Sequence, residues 1–351
     1  MLAVASEPFD PTSAINSGMD SDCRAVLSHA LKQCEQIVLA EGDVRPDLAA
    51  LEELVRSQNE RIGQTHAERL EAAQAVLAPE LALIDLAIIA TKELLTLSKS
   101  LTQERGRILW TKVPKTVPSA EVLFETLLIN SANTLAAIRL LAAIGYDTQA
   151  RSLVRRLHEL ADVTLAVLYD EATLRHYADK TEDFEKVYDI WRKHLSPGKL
   201  RRILRGFYAE IGVEDDVLDS DHAEFKQRQR WLSLAAHNYF LNLAIEAKHT
   251  DITEDQRFVF KLDALHFQGA GATIRTACDI QHEFLTVVQA LLLIRHEWKW
   301  EGVSAFRLHL YRGLLGSALS WCYDEAELDQ KALSEDDEPT DEGDAWKQGS
   351  A

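Results

Sequence analysis

The chain lacks the punctuation of a β-rich protein. Only eight prolines and fifteen glycines interrupt its 351 residues, and no stretch alternates apolar and polar residues long enough to build a sheet. It has no glycine-rich phosphate loop, no internal repeat, and no G-x-S-x-G elbow that would make Ser233 a nucleophile. Cysteine is scarce. Cys23, Cys34, Cys278 and Cys322 lie far apart and form no CxxC pair, so reduced thiols are expected rather than a disulfide framework or zinc site. The E-x-x-H pair Glu246 and His249 has no second copy, which a carboxylate-bridged di-metal bundle requires. No metal and no cofactor are therefore expected. Neither a basic leader nor a sustained apolar segment opens the chain. The longest uncharged run is fifteen residues, between Arg230 and Glu246, short of the ~20 needed for a membrane crossing. A cytoplasmic protein without a membrane partner is the expectation.

What is present favours helix. Hydrophobic residues make up 46% and charged residues 27%, with Leu, Ala, Glu and Arg dominant, the balance of a globular all-α protein. The net charge is −18, which argues against general affinity for nucleic acid or anionic membranes. Eleven acids and one Lys between Asp324 and Asp344 supply −10 of it. The pattern predicts a multi-helix bundle preceded by a solvated N-terminal helical hairpin. Residues 1–20 read as a flexible leader, 21–110 as an N-terminal helical region, 120–333 as the C-terminal bundle and 334–351 as a disordered acidic tail. The two prolines between Thr111 and Ser119 mark the division. Ser119 is placed to cap a helix from Ala120 to Ile144, and Thr148 one that runs to Tyr169. Val213 to Asp221 reads as an acidic loop, and Phe258 to Phe267, whether extended or irregular, is also assigned to a loop. Long helices are expected at 272–298 and 303–333.

The stretch Arg228 to His249 reads as the central helix, because Trp231, Leu232, Leu234, Tyr239, Phe240, Leu243 and Ile245 are spread round its circumference. Arg230, Ser233, His237 and Lys248 share one sector. Asn238, Asn242, Glu246 and His249 form a second stripe. Buried polar groups need partners, and Arg155 with Glu159, an i, i+4 pair on an otherwise apolar helix, offers one. Arg155, Glu159, Ser233 and His237 are thus the expected buried polar cluster or pocket floor. His158 with Asp162, His282 with Glu283, and His296 with Glu297 read as surface or half-buried pairs.

These residues carry a resemblance. Arg155 and Glu159, then Asp170 and Tyr177, then Ser233 and His237 resemble the R-x-x-x-E helix, acidic Tyr-containing stretch and S-x-x-x-H helix of a family of uncharacterised bacterial all-helical proteins. That resemblance covers about residues 120–300 and implies a helical domain without an assigned activity. Arg230 and His237, R-x6-H, resemble the catalytic pair of HEPN ribonucleases. There the His would handle a ribose hydroxyl proton and the Arg would stabilise the phosphate, without a metal. The leading expectation is a non-enzymatic binding or interaction module, in a bacterial stress or defence setting, with a protein or small-molecule partner. A metal-independent ribonuclease using Arg230 and His237 is the alternative. The basic run Arg192 to Arg205, with six Lys or Arg, would then receive RNA, and a homo-oligomer is compatible with either reading.

Overall fold

The computed structural model describes residues 48–113, 118–179, 182–236, 248–252, 258–260 and 269–336. The chain divides into two compact units, residues 1–68 and 69–351. In the first, the described residues are the opening of α1 (Leu48–Val76), whose described side chains up to Glu68 are almost all exposed. Its low apolar content after Leu54 leaves nothing to bury. The rest of the expected hairpin lies outside the described residues.

The second unit holds α2 (Ala78–Arg105), α3 (Ala120–Ala143), α4 (Asp147–Tyr169), α5 (Glu171–Tyr177), α6 (Phe184–Ile190), α7 (Pro197–Glu210), α8 (Asp215–Ala236), α9 (Ala270–His296) and α10 (Gly302–Asp336). The all-α expectation holds. A small antiparallel ribbon, β1 (Lys248–Ile252) with β2 (Phe258–Phe260), is added to it. Local chemistry sets the helix ends. Pro79 sits in the first turn of α2, and Gly106, at φ +75°, ends it. Ser119 caps α3 as expected, its Oγ accepting from the Val122 N–H. Gly145, at φ +84°, turns the chain into α4, because an L side chain there would be strained. The cap of α4 departs from expectation: the helix starts at Asp147, and Thr148 is buried within its first turn. Asp147 accepts from the Thr273 hydroxyl at 2.5 Å and pairs with Arg151. A Cβ on Gly269 would run into that carboxylate, so any larger residue there would have to displace the Asp147 side chain from Thr273 and Arg151.

The layers follow from the buried faces. α3 and α9 each pack against both α2 and α4; α10 lies on α2 and α9, and α7 and α8 cover the outer side of α4. One core runs through them, with Leu94, Phe124, Leu135, Leu157, Phe284 and Leu291 almost fully enclosed. Two expectations change. α2, assigned from sequence to a separate N-terminal region, shares this core, and the compact unit begins at Arg69 rather than near residue 120. The chain just before the expected boundary is pinned: Glu121 accepts from the N–H groups of Ile108 and Leu109 at 2.9 and 2.8 Å, and Trp298 donates to the Ile108 carbonyl; residues 114–117 of the boundary itself lie outside the described residues.

α4 and α9 hold the middle of the described bundle; of the stretch expected to be the central helix, residues 228–236 end α8 and residues 237–247 lie outside the described residues. α8 starts at Asp215, so the supposed acidic loop is its first turns, and it packs on α4 with Leu232 buried while Lys226, Gln227 and Arg230 face solvent. Lys248 and His249 are in β1, which removes the helical spacing assumed for Glu246 and His249. Phe258–Phe260 is strand rather than loop. The tail beyond Asp336 lies outside the described residues. α3 and α9 are each long and apolar enough to cross a membrane, although 50% and 56% of their most apolar windows are buried inside the protein. The length of uncharged runs did not anticipate this, because both helices combine high hydropathy with isolated charges.

Candidate functional site

The outer face of α4 carries a polar centre. His158 and Asp162 are one turn apart, flank the apolar stripe formed by Val154, Leu157, Ala161 and Leu165, and are both buried. α7, amphipathic through Leu200, Leu204 and Phe207, lays Arg201 across them: its Nη2 donates to His158 Nε2 at 2.7 Å and its Nε to Asp162 at 3.3 Å. A guanidinium can only donate, so Nε2 is an acceptor and the ring proton sits on Nδ1. The Gln229 amide nitrogen of α8 lies 3.0 Å from Nδ1; because that ring atom carries the proton, a hydrogen bond here requires the carboxamide turned so that its oxygen accepts. Burial, reinforced by the charges of Arg201 and Arg228, holds the His158 pKa well below the usual imidazole range, so the ring stays neutral. Arg228 reaches away to Asp279 at 3.0 Å and Glu283 at 3.4 Å on α9. This network clamps α7 and α8 to the bundle.

Above it opens a cavity of about 220 Å³. Leu160, Val163, Tyr177, Trp191, Leu195 and Leu200 form apolar walls, and Arg156, Glu159, Asp162 and Gln229 supply the polar groups. The lip is unusual backbone. After α6 the chain forms one π-helical turn, Trp191–Leu195, a geometry frequent at functional sites, and His194 in that turn stacks on His176 of α5 with ring centroids 3.6 Å apart. Burial raises the Tyr177 pKa, which keeps its hydroxyl protonated.

α6 leads into this lip and has no buried residue. Asp183 caps it, accepting from the Glu185 and Lys186 N–H groups. Phe184, Val187, Tyr188 and Trp191 share one face at i, i+3, i+4 and i+7, and stand 89, 47, 56 and 47% exposed. Tyr188 stacks on Trp191. An apolar face therefore stands in solvent and runs directly into the cavity.

The residues expected to act are only partly brought together. Arg155 and Glu159 pair at 3.3 Å on the half-exposed side of α4, and Glu159 lines the cavity. Ser233 lies one turn beyond Gln229 on α8, partly buried, and among the described residues no hydrogen bond joins it to Arg155 or Glu159. His237 and Glu246 lie outside the described residues. Arg230 is exposed on α8. Asp170 caps α5 by accepting from the Thr173 N–H, and Tyr177 lines the cavity. In the basic run, Arg192 and Lys193 pair with Asp189, Arg201 with Asp162 and Arg205 with Asp219, so four of the six charges are already compensated.

The sequence reading missed that His158, Asp162 and Arg201 form the polar centre, having placed the first two at or near the surface. The signal was weak: on the α4 wheel His158 falls about 55° and Asp162 about 95° from the middle of the apolar stripe, just beyond one edge of it. Compared with known proteins, the chain matches no family model, no curated protein and no solved structure.

Proposed function

We propose that this protein is a non-enzymatic interaction module that captures a partner segment on α6 and in the adjoining cavity. One observation carries the reading: a helix without a buried residue presents Phe184, Val187 and Tyr188 on one face, and that face continues through Trp191 of the π turn into a half-open, mainly apolar cavity. Isolated exposed apolar residues need no explanation, but a contiguous aromatic face beside a pocket marks a binding surface. The partner that fits is an amphipathic peptide with one Leu- or Phe-sized anchor. Its apolar side would lie along α6 while the anchor fills the cavity, where burial contributes about 1.5–3 kcal/mol. Arg156 and Glu159 at the lining offer one charge of each sign to fix its register. The cytoplasmic setting expected from sequence belongs to this proposal too, since half of each long apolar helix is committed to the core.

The test is selection of displayed helical peptides on the wild-type protein, followed by affinity measurement on Phe184→Asp and Leu160→Trp, the second filling the cavity. Both changes should weaken the selected peptides about tenfold or more at unchanged melting temperature. Equal binding to wild type and both variants would remove the proposal.

A further inference from the structure

α10 buries one face and leaves the opposite face apolar. Ala305, Leu308, Leu315, Leu319 and Cys322 pack inward, while Val303, Phe306, Leu310, Leu314 and Trp321 stand 67, 67, 45, 45 and 53% exposed. At ~100° per residue those five fall within a sector of about 80°, a strip about 27 Å long with Ser317 on it and Gly313 at its edge. This is a second helix stripe, separate from the one on α6. Taking free apolar side chains at 150–250 Å² for the aromatics and somewhat less for the aliphatics, the strip offers roughly 500 Å². Two copies face to face would bury about 1,000 Å², near the lower end for a specific dimer.

We propose that α10 is a homodimer interface in which two copies pair antiparallel about a two-fold axis. A two-fold contact requires a self-complementary surface, and the strip is one: about a midpoint near Arg312, an antiparallel copy sets Val303 opposite Trp321 and Leu310 opposite Leu314, while Phe306 meets the small Ser317 and Ala318. The chain's net charge of −18 disfavours an anionic lipid surface as the occupant.

Sedimentation equilibrium of the full chain at micromolar concentration tests this. The wild type should be a dimer, and Phe306→Asp and Leu314→Asp should each weaken it about tenfold or more, with helical circular dichroism and melting of the monomer unchanged because both positions are exposed. Leu140→Asp, on the exposed side of α3, should leave the dimer intact. A monomeric wild type, or dimers in both α10 variants as stable as the wild type, would overturn the proposal. So would a monomeric wild type that co-sediments with phosphatidylglycerol vesicles and loses them on Phe306→Asp, since the strip would then be a lipid-binding face.

Discussion

Replacing His296 by glutamine should flatten part of the pH dependence of stability. His296 ends α9 and is held from two sides: the Trp110 N–H donates to its Nδ1 at 3.2 Å, and its Nε2 donates to the Leu168 carbonyl at 2.8 Å. Both bonds are made by the neutral ring. Burial pushes its pKa down from 6.5 to about 4, against the opposing influences of the Leu168 carbonyl and the Glu121 charge. Between those values the unfolded chain takes up a proton that the native imidazole refuses. Stability from this residue is therefore complete above pH 6.5 and is lost as the pH falls through 4. The loss amounts to about 2 kcal/mol at pH 5 and about 3 kcal/mol when complete. Glutamine offers the same donor and acceptor without titrating. His158 is depressed in the same direction, so the wild type will lose more in total, and the comparison isolates His296. Urea denaturation of both proteins at pH 7.5 and pH 5 should show the wild-type advantage shrinking, or the variant's deficit reversing, by about 2 kcal/mol. A wild-type to variant difference that does not move with pH would refute the reasoning.

Arg201→Ala should destabilise the fold by about 3–5 kcal/mol, because it removes the buried guanidinium that bonds both Asp162 and His158, whereas Arg155→Ala, which breaks a half-exposed pair, should cost less than about 1 kcal/mol; equal effects in chemical denaturation would show that the polar centre is misassigned. Phe207→Ala, at a fully buried α7 position, should cost about 3–5 kcal/mol and loosen the lip of the cavity. A fragment starting at Ala120 should fail to unfold cooperatively, since it loses the α2 layer; a sharp thermal transition would restore the proline-rich boundary. Arg230→Ala, at an exposed position, should leave the melting temperature nearly unchanged, and any metal-independent RNA cleavage by the pure wild type that this change abolishes would favour the ribonuclease reading.

The helical architecture was legible because Ser119, Gly145, Pro79 and Pro197 mark helix ends by backbone chemistry that acts locally. The position of α8 was not. Its described apolar residues after Arg228 are Trp231, Leu232 and Leu234, and periodicity does not reveal which neighbours exist to cover them; on the described bundle α4 and α9 hold the middle. Arg155 with Glu159 looked distinctive because opposite charges at i, i+4 are easy to see. The consequential pair was His158 with Asp162, whose partner Arg201 lies about forty residues away in sequence and becomes visible only when α7 folds onto α4. The aromatic face of α6 was readable as amphipathic. That nothing covers it was a property of the fold alone.

The interaction reading is tested most directly by locating where a selected peptide lands. Methyl-labelled protein titrated with such a peptide should show its largest chemical-shift changes at Leu160, Val163, Val187 and Leu195, with the methyls of Leu310 and Leu314 on α10 unmoved. Shifts confined to α10 or to the far side of the bundle, with the cavity methyls still, would contradict the assignment of α6 and its cavity as the binding site.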